Sequence, residues 1–177
     1  MSPLQRRMLK ELLQHLDELN VHIENLNDEI DNFMKPEEKQ ASQVIQDVTG
    51  IGNTSAQTII AVIGTDMERF PSDRHISSWA GLCPGDNVSA KKRKSGKIRK
   101  GNALLKSTLV LCAHAAVRHK SSYFHAQFKR ISTHRGKKRA YVAVAHSILI
   151  AIYHILKDGV KSVSYTHLRA HETEADL

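Results

Sequence analysis

Cysteine is scarce in this 177-residue chain, and what little there is stands apart. Cys83 and Cys112 form no Cys-x-x-Cys spacing, which excludes a disulfide framework and a cysteine zinc site and suits a reducing cytoplasm. Long apolar runs are also lacking. The start, Met-Ser-Pro-Leu-Gln-Arg-Arg, has no signal-peptide block, and the longest apolar stretch, residues 141–156, is interrupted by His146, Ser147 and His154. That stretch reads as a buried core helix, so no membrane partner is expected. Asn87-Val88-Ser89 spells a glycosylation sequon, which is empty without a secretory route. Acids are short in the second part of the chain, where Asp66, Glu68, Asp73, Asp86 and Asp158 have no pairing suited to two-metal phosphoryl transfer. The eleven histidines include no His-Glu-x-x-His and no Cys/His array, and read as core or surface residues.

Basic residues are what the chain has in excess. Residues 1–48 hold five Lys or Arg against ten acids, whereas residues 49–161 hold twenty against five. A polyanion contact therefore belongs to the second part. The densest stretch, residues 89–106 (SAKKRKSGKIRKGNALLK), carries eight Lys or Arg and no acid. Such a density repels itself unless a phosphate backbone lies beside it. Pro84, Gly96 and Gly101 are turn residues and both flanks are apolar with helical period, so this is a shaped loop on a folded core. A second basic turn, residues 135–139 (RGKKR), precedes the core helix.

The remaining pattern is helical. Leu9, Leu12, Leu16, Leu19, Ile23, Leu26, Ile30 and Phe33 recur at steps of three and four, the seam of a coiled coil that ends before Pro36. Self-association and an antiparallel hairpin within one chain both satisfy that seam. Helices are expected at 37–46, 53–63, 73–80 with Ser72 as N-cap, 102–119, 122–133 and 141–156. The fold class is mainly α: a coiled-coil helix over 1–36, then a compact all-helical domain over 37–161 with a helix-hairpin-helix-like turn and a basic loop that has room for a short β-hairpin. The tail 162–177 continues no apolar face and forms no cap; it is expected to be non-native or disordered and is set apart.

Two places are suited to chemistry. In Gly50-Ile51-Gly52, glycines let a turn approach phosphate closely, and the free amides of Asn53, Thr54 and Ser55 at a helix start can donate to it. The same turn also serves as a plain interhelical connection. In and after the basic loop, Ser89, Ser95, Ser107 and Tyr123 are hydroxyls that could attack a phosphodiester, a reaction that needs cations to stabilise the pentavalent charge. Ser89 is followed closely by Lys91, Lys92, Arg93 and Lys94, with Lys97, Arg99, Lys100 and Asn102 beyond.

Taken in order, Val48-Thr49-Gly50-Ile51-Gly52, Ile63-Gly64 with Arg69-Phe70, Trp79-Ala80-Gly81-Leu82-Cys83-Pro84, Ser89-Ala90 and the run from Lys94 to Asn102 resemble the C-terminal transposase domain of the insertion-sequence 110 family and its 116 and 902 relatives, over about residues 40–160. The resemblance implies a recombinase that moves a DNA element through a serine nucleophile, guided by an RNA of its own element and oligomeric through a coiled coil. The family serine follows the Ala-Gly-Leu-x-Pro turn by a few residues, which falls here on Ser89, with Ala90 where some relatives have glycine. The family also implies a RuvC-like domain that binds a divalent metal such as Mg through four acids. No such α/β segment precedes the coiled coil here, so no cofactor is expected in this chain, which reads as the C-terminal portion of a longer, nucleoid-associated enzyme, inactive by itself.

The leading reading is thus the DNA-binding, serine-nucleophile part of a transposase, with DNA, a guide RNA and further copies of itself as partners. The alternative is a non-enzymatic coiled-coil and helix-hairpin-helix module for nucleic acid. A coiled-coil scaffold accounts for residues 9–33 but leaves the positive charge without a purpose.

Overall fold

A computed structural model describes residues 1–83 and 100–159, together with the backbone of two strands at Asn87–Ser89 and Lys92–Ser95. The tail 162–177, Lys91, Lys97 and Arg99 lie outside the described residues, as do the side chains of Ser89, Lys92, Arg93 and Lys94. The chain divides into two units, Met1–Pro36 and Glu37–Leu177.

The first unit is one helix, α1 (Pro3–Phe33). Ser2 starts it with a capping box: its Oγ accepts from the Gln5 amide at 3.3 Å while Gln5 Oε1 accepts from the Ser2 amide at 2.8 Å. At 1.5 Å per residue it is a rod of about 46 Å. It runs without a break, so its seam is not folded back on itself, and none of its residues is buried. Seam side chains from Leu9 to Phe33 are between 44% and 89% exposed. Pro36 cannot continue α1 and begins the next helix instead.

The second unit packs α2 (Pro36–Ile45), α3 (Asn53–Ile63), a 3-10 turn (Met67–Arg69), α4 (Asp73–Trp79), α5 (Ala103–Arg118), α6 (Tyr123–Arg135) and α7 (Lys137–Asp158). The central element is α7, which meets α4, α5, α6 and the 3-10 turn, while α3 leans on α5. Val144, Ile148, Leu149, Ile152 and Tyr153 of α7 are buried with Leu105, Leu109 and Cys112 of α5, with Ile45 of α2, Ile59 and Ile63 of α3, and with Val48 of the turn between them. Each large aliphatic side chain taken fully out of water contributes about 1.5–3 kcal/mol, so this shared core holds the helices together. Polar ties are few and specific. Tyr153 donates its hydroxyl to the Phe70 carbonyl at 3.0 Å, and Gln127 Nε2 donates to Ser147 Oγ at 2.8 Å between α6 and α7.

Two local expectations come out differently. The basic turn 135–139 is almost all helix: only Gly136, at φ 79°, breaks the path, and Lys137 already starts α7. Ser72 does sit at the N-cap of α4, yet its hydroxyl lies 2.8 Å from His75 Nδ1 and makes no bond to a helix amide. The imidazole three residues on competes for the hydroxyl. The helix α7 is long and apolar enough to cross a membrane by length and composition, but 61% of its most apolar window is buried within the protein. It is the core helix that the interrupted apolar run suggested.

Candidate nucleic-acid interface

Helix α4 ends in a Schellman closure. Gly81 takes φ 72°, its amide donates to the Ser78 carbonyl at 3.1 Å, and the Leu82 amide donates to the Ser77 carbonyl at 3.1 Å. This accounts for Ala-Gly-Leu at that point: a left-handed residue is needed after Ala80, and Leu82 then drops into the core, 2% exposed. The basic stretch leaves the core here. It returns at Gly101, where a Cβ would stand 2.4 Å from the Ala80 carbonyl carbon and from the Gly81 nitrogen. Only glycine permits so close a backbone approach. The two ends of the stretch 82–100 are therefore pressed together, and the basic run is an arm with a closed base.

Within the arm, Asn87–Ser89 (β1) and Lys92–Ser95 (β2) pair antiparallel, with Ser89 opposite Lys92, Val88 opposite Arg93 and a register shift between Asn87 and Val88. The ribbon thus sets a cationic residue across from the serine that the family resemblance marks. From Asn87 to Lys157 the chain has no Asp or Glu, so Asp86 is the one acid of the arm and none follows until the end of α7. Lys100, at the foot of the arm, is exposed. Asn102 is held differently: its Oδ1 accepts from the Leu105 amide at 2.9 Å and caps α5, which fixes where the arm ends and the helix begins.

The hairpin between α2 and α3 is built from the inside. Val48 and Ile51 are buried, and the Ile51 amide donates to the Val48 carbonyl at 3.1 Å. Gly50 adopts φ 96°, and a Cβ there would come within 2.4 Å of the Cys112 carbonyl oxygen and 2.6 Å of the Ala116 nitrogen. Its lack of a side chain thus seats the turn on α5. Ser55 also faces inward, hydrogen-bonded to Cys112, whose thiol is pushed above its ordinary value by burial and pulled back slightly by that bond. Gly52, Asn53 and Thr54 are the exposed members of the six. Gly52 leaves the α3 N-terminus without a side-chain cap, so amides of the first turn face outward beside Asn53. Asn53 Oδ1 accepts from Gln46 Nε2 at 3.4 Å across the turn.

Of the other candidate hydroxyls, the Ser95 side chain lies outside the described residues. Ser107 donates to the Leu104 carbonyl at 2.9 Å, and the Tyr123 ring stands edge-on to Phe124 at 5.8 Å. Histidines are placed likewise: His125 Nδ1 lies 2.7 Å from the Val117 carbonyl oxygen, and His154 Nδ1 2.8 Å from Asp158 Oδ2. Among the described residues no three His, Cys, Asp or Glu side chains converge, so these residues do not form a divalent-metal site. Sequence reasoning missed the closed base of the arm. Gly81 and Gly101 are visible as turn residues, but their mutual contact spans twenty positions and leaves no local signal.

This framework of hairpin, Schellman closure, arm and capped helix lies inside residues 42–129, which match the model of the Transposase IS116/IS110/IS902 family. It is a transposase domain. Over these residues the chain carries a domain of the Transposase IS116/IS110/IS902 family. The chain is similar to the transposase for insertion sequence element IS1111A of Coxiella burnetii, 30% identical over 118 residues, covering 64% of this chain and 32% of that protein. It is also similar to the insertion element IS110 uncharacterized 43.6 kDa protein of Streptomyces coelicolor, 28% identical over 131 residues, covering 70% of this chain and 30% of that protein. The chain spans about a third of the length of the curated relatives it matches.

Proposed function

We propose that this chain is the DNA-holding and nucleophile-bearing part of a transposase, with Ser89 as the attacking residue. The observation that carries the reading is the position of Ser89 near the start of the acid-free stretch 87–157, within a segment matched by the transposase family. Ser89 Oγ forms a bond to a backbone phosphorus as a bridging P–O bond breaks. The phosphate stays on the serine, and the proton from Oγ ends on the departing strand's hydroxyl. Lys91, Lys92, Arg93, Lys94, Lys97, Arg99 and Lys100 hold phosphates and offset the charge that develops on the transferring group. Gly52, Asn53 and Thr54 grip a second backbone position at the start of α3, while Gly50, Ile51, Ser55 and Asn102 hold these elements in place. The α1 seam, apolar and uncovered, joins copies of the chain in a coiled coil.

The metal that the family resemblance implies finds no donor cluster among the described residues, so no step is routed through one. In this reading the acids that bind it, and the guide RNA, are brought by a RuvC-like half supplied to the chain; alone, the chain binds DNA without cutting it. The test is Ser89→Ala in a strand-exchange assay with that half supplied in trans or fused. Exchange is lost by more than about a hundredfold and duplex binding persists; retained exchange refutes the serine. On duplex DNA, log affinity falls by about 0.9 per phosphate contact for each decade of salt, and a flat dependence refutes backbone binding altogether.

A further inference from the structure

One face of the second unit is both apolar and cationic, and the hairpin residues do not line it. Along α5, Ala103, Lys106, Val110, Leu111 and His114 line a shallow groove closed on its other side by Val142 of α7. Leu111 is 68% exposed and Leu104, in the first turn of α5, is 57% exposed, in a unit whose other large apolar side chains are mostly buried. Exposed apolar surface gathered in this way marks a binding face. Its far end is aromatic. The exposed His114 ring stacks on Tyr141 with centroids 3.6 Å apart and planes 22° from parallel, and Tyr141 in turn meets Phe128 at 4.5 Å.

Charge identifies the occupant. Residues 103–157 contain no acid, Lys106 lines the groove, and Lys138 and Arg139 stand one turn before Val142 on the same side of α7. An acidic, flat-faced ligand suits such a place better than an apolar helix does. A duplex keeps its bases stacked inside, whereas an unpaired strand offers phosphates to cations and bases to apolar and aromatic surface. The groove also starts in the right place: Ala103 follows Asn102 at the foot of the arm, and His114 lies about 17 Å further along the helix.

We propose that this α5–α7 groove binds single-stranded nucleic acid, with an unpaired base stacked on His114 and the backbone held by Lys106, Lys138 and Arg139. The ligand class rests on the nucleic-acid reading above; the groove as a second site does not depend on Ser89. A strand separated at the arm runs from its base along α5, which keeps it from re-pairing.

The full 177-residue chain is titrated with oligothymidylate and oligouridylate of about a dozen nucleotides, with an abasic backbone of equal length and with a duplex. Binding of base-bearing strands exceeds binding of the abasic strand by roughly five- to hundredfold, as one stacked base provides. Either of the two winning over the other supports the site and names DNA or RNA as the source. His114→Ala and Leu111→Ser, both at exposed positions, abolish that preference and leave duplex affinity and melting temperature unchanged. The arm, residues 82–100, has no aromatic residue that could supply the preference in their place. Equal binding of abasic and base-bearing strands overturns the proposal, as does a preference that survives His114→Ala. A change of sedimenting mass with Leu111→Ser, without loss of base preference, makes the face a protein interface and also overturns it. Loss of duplex binding by the unmodified chain instead defeats the function proposed above.

Discussion

Replacing glycines one at a time separates steric demands from conformational ones in this fold. At Gly50 both apply: φ is 96°, and a Cβ would lie 2.4 Å from the Cys112 carbonyl oxygen. At Gly101 only the steric demand applies, with Ala80 and Gly81 backbone atoms at 2.4 Å. At Gly52 neither applies, since φ is −100° and nothing stands within 4 Å. A left-handed alanine costs roughly 1–2 kcal/mol, and forcing a methyl into packed surroundings typically costs about 1–3 kcal/mol. Gly50→Ala therefore destabilises by about 3 kcal/mol, Gly101→Ala by about 2 and Gly52→Ala by less than about 1, once the smaller unfolded-state entropy of alanine is allowed for. For a unit of this size each kcal/mol lowers the melting temperature by about 4 °C, so calorimetry resolves shifts near 12, 8 and under 4 °C. Gly101→Ala carries a further mark. The intruding methyl parts the two ends of the arm, so duplex affinity falls in this variant. If Gly101→Ala melts and binds like the unmodified chain, the arm has no closed base, and the geometry on which the nucleophile loop is argued fails.

Three smaller tests bear on the core. Tyr153→Phe removes the buried bond to the Phe70 carbonyl and orphans that oxygen, costing about 1–3 kcal/mol in chemical denaturation at unchanged m-value. Ser122→Ala deletes the α6 cap, whose Oγ accepts from the His125 amide at 3.1 Å and donates toward the Ala116 and His119 carbonyls, at a cost of about 1 kcal/mol with faster amide exchange in the first turn of α6. Because burial raises the Cys112 thiol above its ordinary value of 9.0, the folded state holds that proton longer than the unfolded chain does. Stability from this group is complete below pH 9 and lost as pH rises through the higher folded value; Cys112→Ala flattens that alkaline decline.

Helix placement was legible because burial imposes period on long segments: the apolar spacing within 53–63 is the spacing of α3, and the interrupted run 141–156 is the middle of α7. What escaped was the competition for single groups. Ser72 marks the start of α4, but His75 takes its hydroxyl. Arg135 to Arg139 reads as a turn by charge and glycine, whereas the path needs only Gly136 to bend, and three cations enter the helix. The hairpin glycines look alike in sequence. Gly50 serves α5 and Gly52 faces solvent, a difference decided by a helix more than fifty residues away. Asn102 sits among the cations yet caps a helix, because its position relative to Leu105 is fixed by where the arm closes. The seam of α1 is fully readable as a pattern, and its meaning depends on a second surface that the pattern itself does not contain.

The positions that flank the arm, Ala80–Gly81 and Gly101, are in backbone contact, so the arm is attached to the core at two neighbouring points. The closure entropy of such an excursion grows slowly, by about 0.6 kcal/mol for each doubling of length. Arms of different length and charge can therefore be exchanged on this base while α4 and α5 stay as they are. The closure between α4 and α5 is in that sense a socket, and the segment it holds an interchangeable part.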